Sequence, residues 1–240
     1  MKTIKVLAPL VALTLGASCN QKEVTPKSED DKTFYAMGSL MGTRLKSIEL
    51  QDSEIDMIVQ GLRDSAKGKK SPVDLAKYRG QVQNVFRKRM EKNTEKFKAD
   101  GKAYLDKYVK DGAKKSESGF AYKILKEGTG AKPKATDTVK VHYHGTLIDG
   151  KVFDSSVERG KEVSFPLNRV IKCWTEGMQL VGVGGKIQLV CPSEMAYGDH
   201  GAPPKIPGGS TLVFDVELFS IEDAAKTAKT KPSKKAKSKK

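Results

Sequence analysis

The sequence is short of the residues that most enzymes use for chemistry. Among its 240 residues there are three histidines and three cysteines, and no Ser/His/Asp or Cys/His order along the chain supports nucleophilic catalysis. His142 and His144 are two apart on one face of a predicted strand, a spacing compatible with metal. Only His200 lies elsewhere and no Cys or Asp ligand set accompanies them, so no metal site is predicted. Residues 182–186 (GVGGK) resemble a phosphate loop superficially, but Leu180 breaks the G-x-x-x-x-G-K spacing and Ile187 stands where Ser or Thr is needed. Long apolar runs are also missing. With 38% hydrophobic residues the chain is too polar for a multi-span membrane protein.

What is plentiful is positive charge, a net +15 from 44 Lys and Arg against 29 Asp and Glu. Its distribution matters more than its size. Residues 224–240 (AAKTAKTKPSKKAKSKK) hold eight Lys and no acid, and Lys2 and Lys5 lie at the other end. The body between them has an ordinary balance, which gives little support to an electrostatic function and none to nucleic acid as a partner. The tail itself reads as a solvated, disordered end, with anionic lipid or cell-wall polymer as the alternative partner.

Lys2 and Lys5, an apolar run of about ten residues from Val6 to Leu15, and the small residues Gly16, Ala17 and Ser18 have the layout of a secretory signal over residues 1–18. A spanning helix needs roughly 20 apolar residues, so the run is a processed signal and not an anchor. Leu15-Gly16-Ala17-Ser18-Cys19 also resembles a bacterial lipobox, with Leu one place further from the Cys than usual. Two readings stand: lipidation at Cys19, or plain cleavage with Cys19 incidental. Residues 19–33 are polar and aperiodic and predict a flexible tether.

From 34 to about 112 the residues suit helices and show no sustained strand alternation. One helix is predicted over 34–46. Ser53 with Asp56 opens a second, whose stripe of Ile55, Ile58, Val59 and Leu62 runs toward Gly68. Ser71-Pro72-Val73-Asp74 opens a third, which continues to about Val109 and spans about 57 Å if unbroken. Its distal half, dense in Lys and Glu, reads as a solvated stalk, and Gly80 and Gly101 each permit a bend. Residues 34–71 and the long helix over 72–113 have too little apolar surface for a core of their own, which favours pairing with a second copy. Met37, Met41, Met57 and Met90 fit either a core or dimer interface, the commoner use of Met at helical spacing, or an adaptable client surface.

Over 116–222 the texture changes to period-two segments with Gly and Asp-Gly turns: 120–125, 139–144, 163–167, 186–190 and 211–218, with one short helix in 168–180 that holds the only Trp, Trp174. That is a compact α+β domain of about five strands and one helix. The blocks VHYHGTLIDGKVFDSS (141–156), FPLNRVIKCWTEGMQLV (165–181), GGKIQLVCPSEMAYG (184–198) and IPGGSTLVFDVELFSIE (206–222) resemble FKBP-type peptidyl-prolyl cis/trans isomerases. With the helical region and export signal, the chain is similar to their Mip-like, exported bacterial subgroup.

The resemblance implies a twisted antiparallel sheet wrapped on one short helix, preceded by a helical dimerisation region. It further implies a homodimer, proline-containing polypeptide clients, isomerisation of Xaa-Pro bonds without a cofactor, and a pocket that takes macrolides of the FK506 or rapamycin type. Tyr143, Phe153, Asp154, Ile171, Trp174, Tyr197 and Phe214 fall at catalytic positions, with Trp174 as the floor. Val170, Ile206, Val163 and Phe165 fall at substrate-binding positions, and Arg159 at that of the arginine that partners the pocket aspartate. Val163 stands where many members have Phe, and Ala202 and Lys205 replace His and Ile at the rim. The pattern suits the reaction. Rotation about the amide C–N bond faces a barrier of about 18–20 kcal/mol, the Xaa-Pro isomers are nearly isoenergetic, and a dry aromatic pocket disfavours the planar, charge-separated amide relative to its twisted form. The competing class is a holdase chaperone or surface interaction protein that uses the pocket only to bind peptide.

If Cys19 is lipidated, Cys173 and Cys191 remain as an even pair in an oxidising compartment. A disulfide between them is the expectation; two buried thiols are the alternative.

Overall fold

A computed structural model describes residues 24–222. The predicted signal (1–18), Cys19 and the lysine tail (224–240) lie outside the described residues. The first helix, α1, spans Glu29–Leu45 and so starts inside the segment read as tether. The cause is a reciprocal cap: Ser28 Oγ accepts from the Asp31 N–H at 3.0 Å while the Asp31 carboxylate accepts from the Ser28 N–H at 3.0 Å. Described residues up to Met41 form one unit, and those from Gly42 onward a second.

In the second unit, α2 spans Asp52–Ala66. Its cap is Gln51, not Ser53, and Glu54 reaches back to the Gln51 N–H at 2.9 Å. Helix α3 spans Leu75–Lys110, about 54 Å, and passes through Gly80 and Gly101 without interruption. Asp74 caps it by accepting from the Ala76 and Lys77 N–H groups, while Ser71 accepts from the Val73 N–H in a local turn. Glu54 and Arg89 form an ion pair that ties α2 to α3. Asn93 Nδ2 and an Arg89 amino group hold the carbonyls of Ser47 and Ile48 against the same helix.

The distal half of α3 is not a solvated stalk. Thr94, Gly101 and Leu105 are buried, and Leu105 packs with Ala121 and Val190 of the sheet, flanked by Tyr104, Tyr108, Val109 and Val213. Lys98 pairs with Asp199 at 2.7 Å, and the Tyr108 hydroxyl donates to Gln188 Oε1 at 2.6 Å. The proximal half, from Leu75 to Val85, is exposed on all sides. The lysines and glutamates of the distal half hid its docking from a sequence reading, because a helix needs only one narrow stripe, here Thr94, Gly101 and Leu105, to dock.

The sheet has seven strands: β1 (Lys114–Lys115), β2 (Ala121–Lys126), β3 (Thr138–Leu147), β4 (Val152–Ser155), β5 (Val163–Pro166), β6 (Lys186–Cys191) and β7 (Leu212–Glu222). The order is β1-β2-β6-β7-β3-β4, with β5 also on β3, and every pairing is antiparallel. Sequence reading missed β1, which at two residues is too short for a period-two pattern to register, and β4 (Val152–Ser155). The Asp149-Gly150 turn behaves as its residues predict: Gly150 has φ of +84°, and Leu147 N–H closes on the Lys151 carbonyl at 2.9 Å. The short helix α4 (Lys172–Gly177) is framed by single 3₁₀ turns and packs on one face of the sheet through Trp174 and Gly177. Between them lies the core, with Val139, Val141, Met178, Ile187, Leu189, Val216 and Leu218 fully buried.

Candidate functional site

Alternation along β3 sends Val141, Tyr143, Gly145 and Leu147 inward. The register then places Tyr143 opposite Val216, and Gly145 between Phe214 on β7 and Asp154 on β4. Gly145 is there because its neighbours leave no space: a β-carbon would lie 2.7 Å from Phe153 Cζ and 3.1 Å from Phe214 Cε1. The rings of Phe153 and Phe214 meet edge to face at 5.5 Å. Trp174, on α4 and 4% exposed, stands at the centre of three further edge-to-face contacts, 5.4 Å from Tyr143, 5.7 Å from Phe165 and 5.3 Å from Phe214. Its indole N–H is buried without a partner among the described residues.

Above Trp174 opens a cavity of about 520 Å³ lined by Tyr143, Phe153, Asp154, Phe165, Arg169, Val170, Ile171, Lys172, Trp174, Ala196, Tyr197 and Phe214, within the size range of small-molecule and short-peptide sites. All seven residues predicted as catalytic are in that wall, as are Phe165 and Val170. Three others are elsewhere. Arg159 is exposed outside the pocket lining and pairs with the lining residue Asp154. Val163 packs half-buried behind the wall, and the aromatic side chain on that face of β5 is Phe165, two residues on. Ile206 is buried at 5% in the loop beyond Tyr197, bridged to Ala202 through both backbone N–H groups at 2.9 and 3.1 Å. Sequence reading passed over Arg169, Lys172 and Ala196 as lining residues. Their position beside Val170, Ile171 and Tyr197 was the available signal.

Polar groups at the pocket edge form one chain. The Tyr143 hydroxyl donates to Asp154 Oδ2, Arg159 donates to Asp154 Oδ1, and a second Arg159 amino group donates to the Tyr143 oxygen at 3.0 Å. Burial pushes the Asp154 carboxyl upward, but the hydrogen bonds from Tyr143 and Arg159 together outweigh it and hold the group below the usual carboxylate value. Burial, with the Asp154 hydrogen bond second, raises the Tyr143 phenol. The Tyr143 hydroxyl is therefore already committed as a donor. The Tyr197 phenol, raised by burial and then by Asp154, has no hydrogen-bond partner for its hydroxyl among the described residues, and the residue is 43% exposed at the pocket edge. Ile171 immediately precedes α4, so its N–H lies outside that helix's own bonding ladder.

Cys173, next to the floor, is joined by a disulfide to Cys191 at the end of β6, with a Cα–Cα distance of 5.8 Å. His142 and His144 point away from the pocket face, each with Nδ1 3.0 Å from a serine hydroxyl, Ser156 and Ser155 respectively. Among the described residues no group of three or more His, Cys, Asp or Glu is placed to hold a metal ion.

Residues 129–219 match the family described as FKBP-type peptidyl-prolyl cis-trans isomerase, and residues 30–124 match the domain amino terminal to it. An FKBP-type peptidyl-prolyl cis-trans isomerase FkpA of Aeromonas hydrophila is 38% identical over 92% of this chain and 95% of its own length. The chain belongs to the FKBP-type peptidyl-prolyl cis-trans isomerases. The crystal structure of FkpA from Escherichia coli, 39% identical, superposes with a TM-score of 0.63 over 82% of this chain and 99% of that one. The outer membrane protein MIP of Legionella longbeachae is 33% identical over 94% of this chain and all of its own. This isomerase thus combines a helical N-terminal region with an antiparallel FKBP domain, and its activity is peptidyl-prolyl cis-trans isomerisation.

Proposed function

We propose that the Trp174 cavity is where this isomerase twists prolyl bonds, and that its clients are exported proteins whose folding waits on Xaa-Pro isomerisation. The observation that carries the proposal is the ring cluster: Tyr143, Phe153, Phe165, Trp174 and Phe214 enclose an apolar cavity of about 520 Å³. A proline ring resting on Trp174 brings its preceding carbonyl out of water. The planar amide, whose resonance separates charge, loses more by this than the twisted one. The Tyr197 hydroxyl and the Ile171 N–H are the groups free to hold the peptide carbonyls. Asp154 and Arg159 act at one remove by fixing Tyr143. No bond is broken, so neither a nucleophile nor a cofactor enters. Isomerisation rates on an Xaa-Pro tetrapeptide test this: wild-type rates in Trp174→Ala, with its fold intact, would overturn it.

The pocket extends to macrolide ligands of the FK506 or rapamycin type, with Phe165 supplying the wall that Val163 does not. Dimerisation is assigned to the helical region, and exposed apolar side chains support it: Met37, Leu40 and Met41 on α1, Ile58 and Leu62 on α2, and Val82 on α3. A solution mass of twice the monomer is expected. The same exposed residues favour a second activity as a holdase. If Trp174→Ala protein suppresses client aggregation as well as wild type, that activity is independent of the pocket. The export signal, with lipidation or plain cleavage at Cys19, is read directly by the mass of the mature N-terminal peptide.

A further inference from the structure

Inside, the pocket is apolar; its mouth is cationic. Arg169 and Lys172 both line it, and both are exposed. They flank Val170 and Ile171, the residues placed to hold the backbone of a bound segment. Neither side chain has a hydrogen bond or ion pair among the described residues. A third cation comes from another loop: Lys205 Nζ donates to the carbonyl of the pocket residue Phe153 at 2.9 Å.

Asp154 is the only carboxylate lining the cavity, and its two oxygens are taken by Arg159 and Tyr143. Of the acids in the surrounding elements, Asp199 pairs with Lys98 at 2.7 Å, Glu162 pairs with Lys140 at 2.5 Å, and Glu176, four residues along α4 from Lys172, accepts from the Ser118 hydroxyl; Glu158 and Glu194 are exposed outside the cavity lining. A proline ring sunk on Trp174 leaves its two chain neighbours at the rim, since the backbone joins them directly. An acidic neighbour there meets cations already in place, and a basic one meets like charge.

We infer that this isomerase selects among its clients by charge, favouring prolines with Asp or Glu as an immediate neighbour and disfavouring those flanked by Lys or Arg. The inference rests on the proposed function of the same cavity. Each exposed charge pair is worth about 1.5- to 5-fold in a rate or binding ratio, so two or three cations acting together give a measurable discrimination.

Two peptide series test it, one varying the residue before proline and one the residue after, each with Glu, its neutral isostere Gln, and Lys. At low ionic strength, kcat/KM for Glu is expected to exceed that for Gln by about 2- to 10-fold in at least one series, with Lys below Gln. The gap should close in about 1 M salt, where screening acts within roughly 3 Å, and in the Arg169→Gln/Lys172→Gln protein. Glu at or below Gln in both series overturns the inference, as does a gap that survives high salt or the double substitution. Because the salt titration needs only wild-type protein, the outcome does not depend on the variant folding. Gln peptides that turn over without charge discrimination remove this inference alone; Gln peptides that do not turn over remove the proposed function with it.

Discussion

Gly101 of α3 lies against Thr211, the residue that leads into β7, so closely that a β-carbon on Gly101 would come within 2.8 Å of Thr211 Cβ. This is where the long helix docks on the catalytic domain, between Thr94 and Leu105. Gly80, on the same helix, has nothing within 4 Å of the corresponding position.

The two glycines should respond oppositely to alanine. Gly80→Ala should stabilise by about 0.5–1 kcal/mol, from helix propensity and reduced freedom of the unfolded chain. Gly101→Ala gains the same propensity but overpacks the docking site at a cost of about 1–3 kcal/mol, so its net effect is destabilising. Thermal unfolding of the two variants beside wild type checks this. A Gly101→Ala midpoint at or above that of Gly80→Ala would place α3 away from Thr211.

Removing the Asp154 carboxylate leaves Arg159 and the Tyr143 hydroxyl without their shared acceptor. Loss of such a partner typically costs about 1–3 kcal/mol, which corresponds to roughly 5- to 160-fold in rate if the whole cost falls on the transition state. The expected result for Asp154→Ala is a fall of that size in kcat/KM on an Xaa-Pro peptide, with the denaturation midpoint close to wild type because the group is at the pocket edge. Full activity would show that the chain of three polar groups does not act on the bound amide.

The Cys173–Cys191 disulfide closes a loop with a sequence separation of 18 and ties the floor helix to β6. For that loop length the chain-entropy model gives about 3 kcal/mol. Reduction with a dithiol under mild denaturation should lower the stability of the catalytic domain by this order, and Trp174, as the only tryptophan, reports the transition by its fluorescence. A Cys173→Ala/Cys191→Ala protein should match the reduced form and ignore reductant. Equal denaturation midpoints with and without reductant in wild type would count against the bond's contribution.

The ion pair of Glu54 with Arg89 sets an acid limit for the helical region. The Arg89 hydrogen bond, aided by the Gln51 N–H, lowers the Glu54 carboxyl from 4.5 to about 2. A carboxyl depressed in the folded state contributes fully above its unfolded value and loses that contribution as pH falls through the folded one. The α2–α3 contact should therefore be constant from neutral pH to about 5 and weaken between about 4.5 and 2. Glu54→Gln should flatten that part of the profile, read as helicity against pH.

Much of the site was legible in the sequence because it lies in contiguous blocks. Tyr143, Phe153, Asp154, Ile171, Trp174, Tyr197 and Phe214 each sit in one of the four blocks that carry the family resemblance, and the resemblance implied their place in the pocket. The β5 wall was harder. Val163 and Phe165 were both expected at the substrate, and only Phe165 lines the cavity; that depends on how β5 pairs with β3, and pairing is a long-range property. Arg169 and Lys172 were within a recognised block, yet their side chains reach the cavity only because α4 begins where it does.

By itself the sequence determined the division into a helical region and an α+β domain, since periodicity, turn chemistry and composition are written residue by residue, and its ordered motifs carried the family resemblance that implies the aromatic set of the pocket. Tertiary structure alone decided that the charged half of α3 is docked rather than solvated, that Tyr143's hydroxyl is already engaged, and that Gly101 marks a contact rather than a bend. Each of these depends on which distant residue arrives opposite, Thr211, Asp154 or Arg159, and no local pattern encodes that meeting.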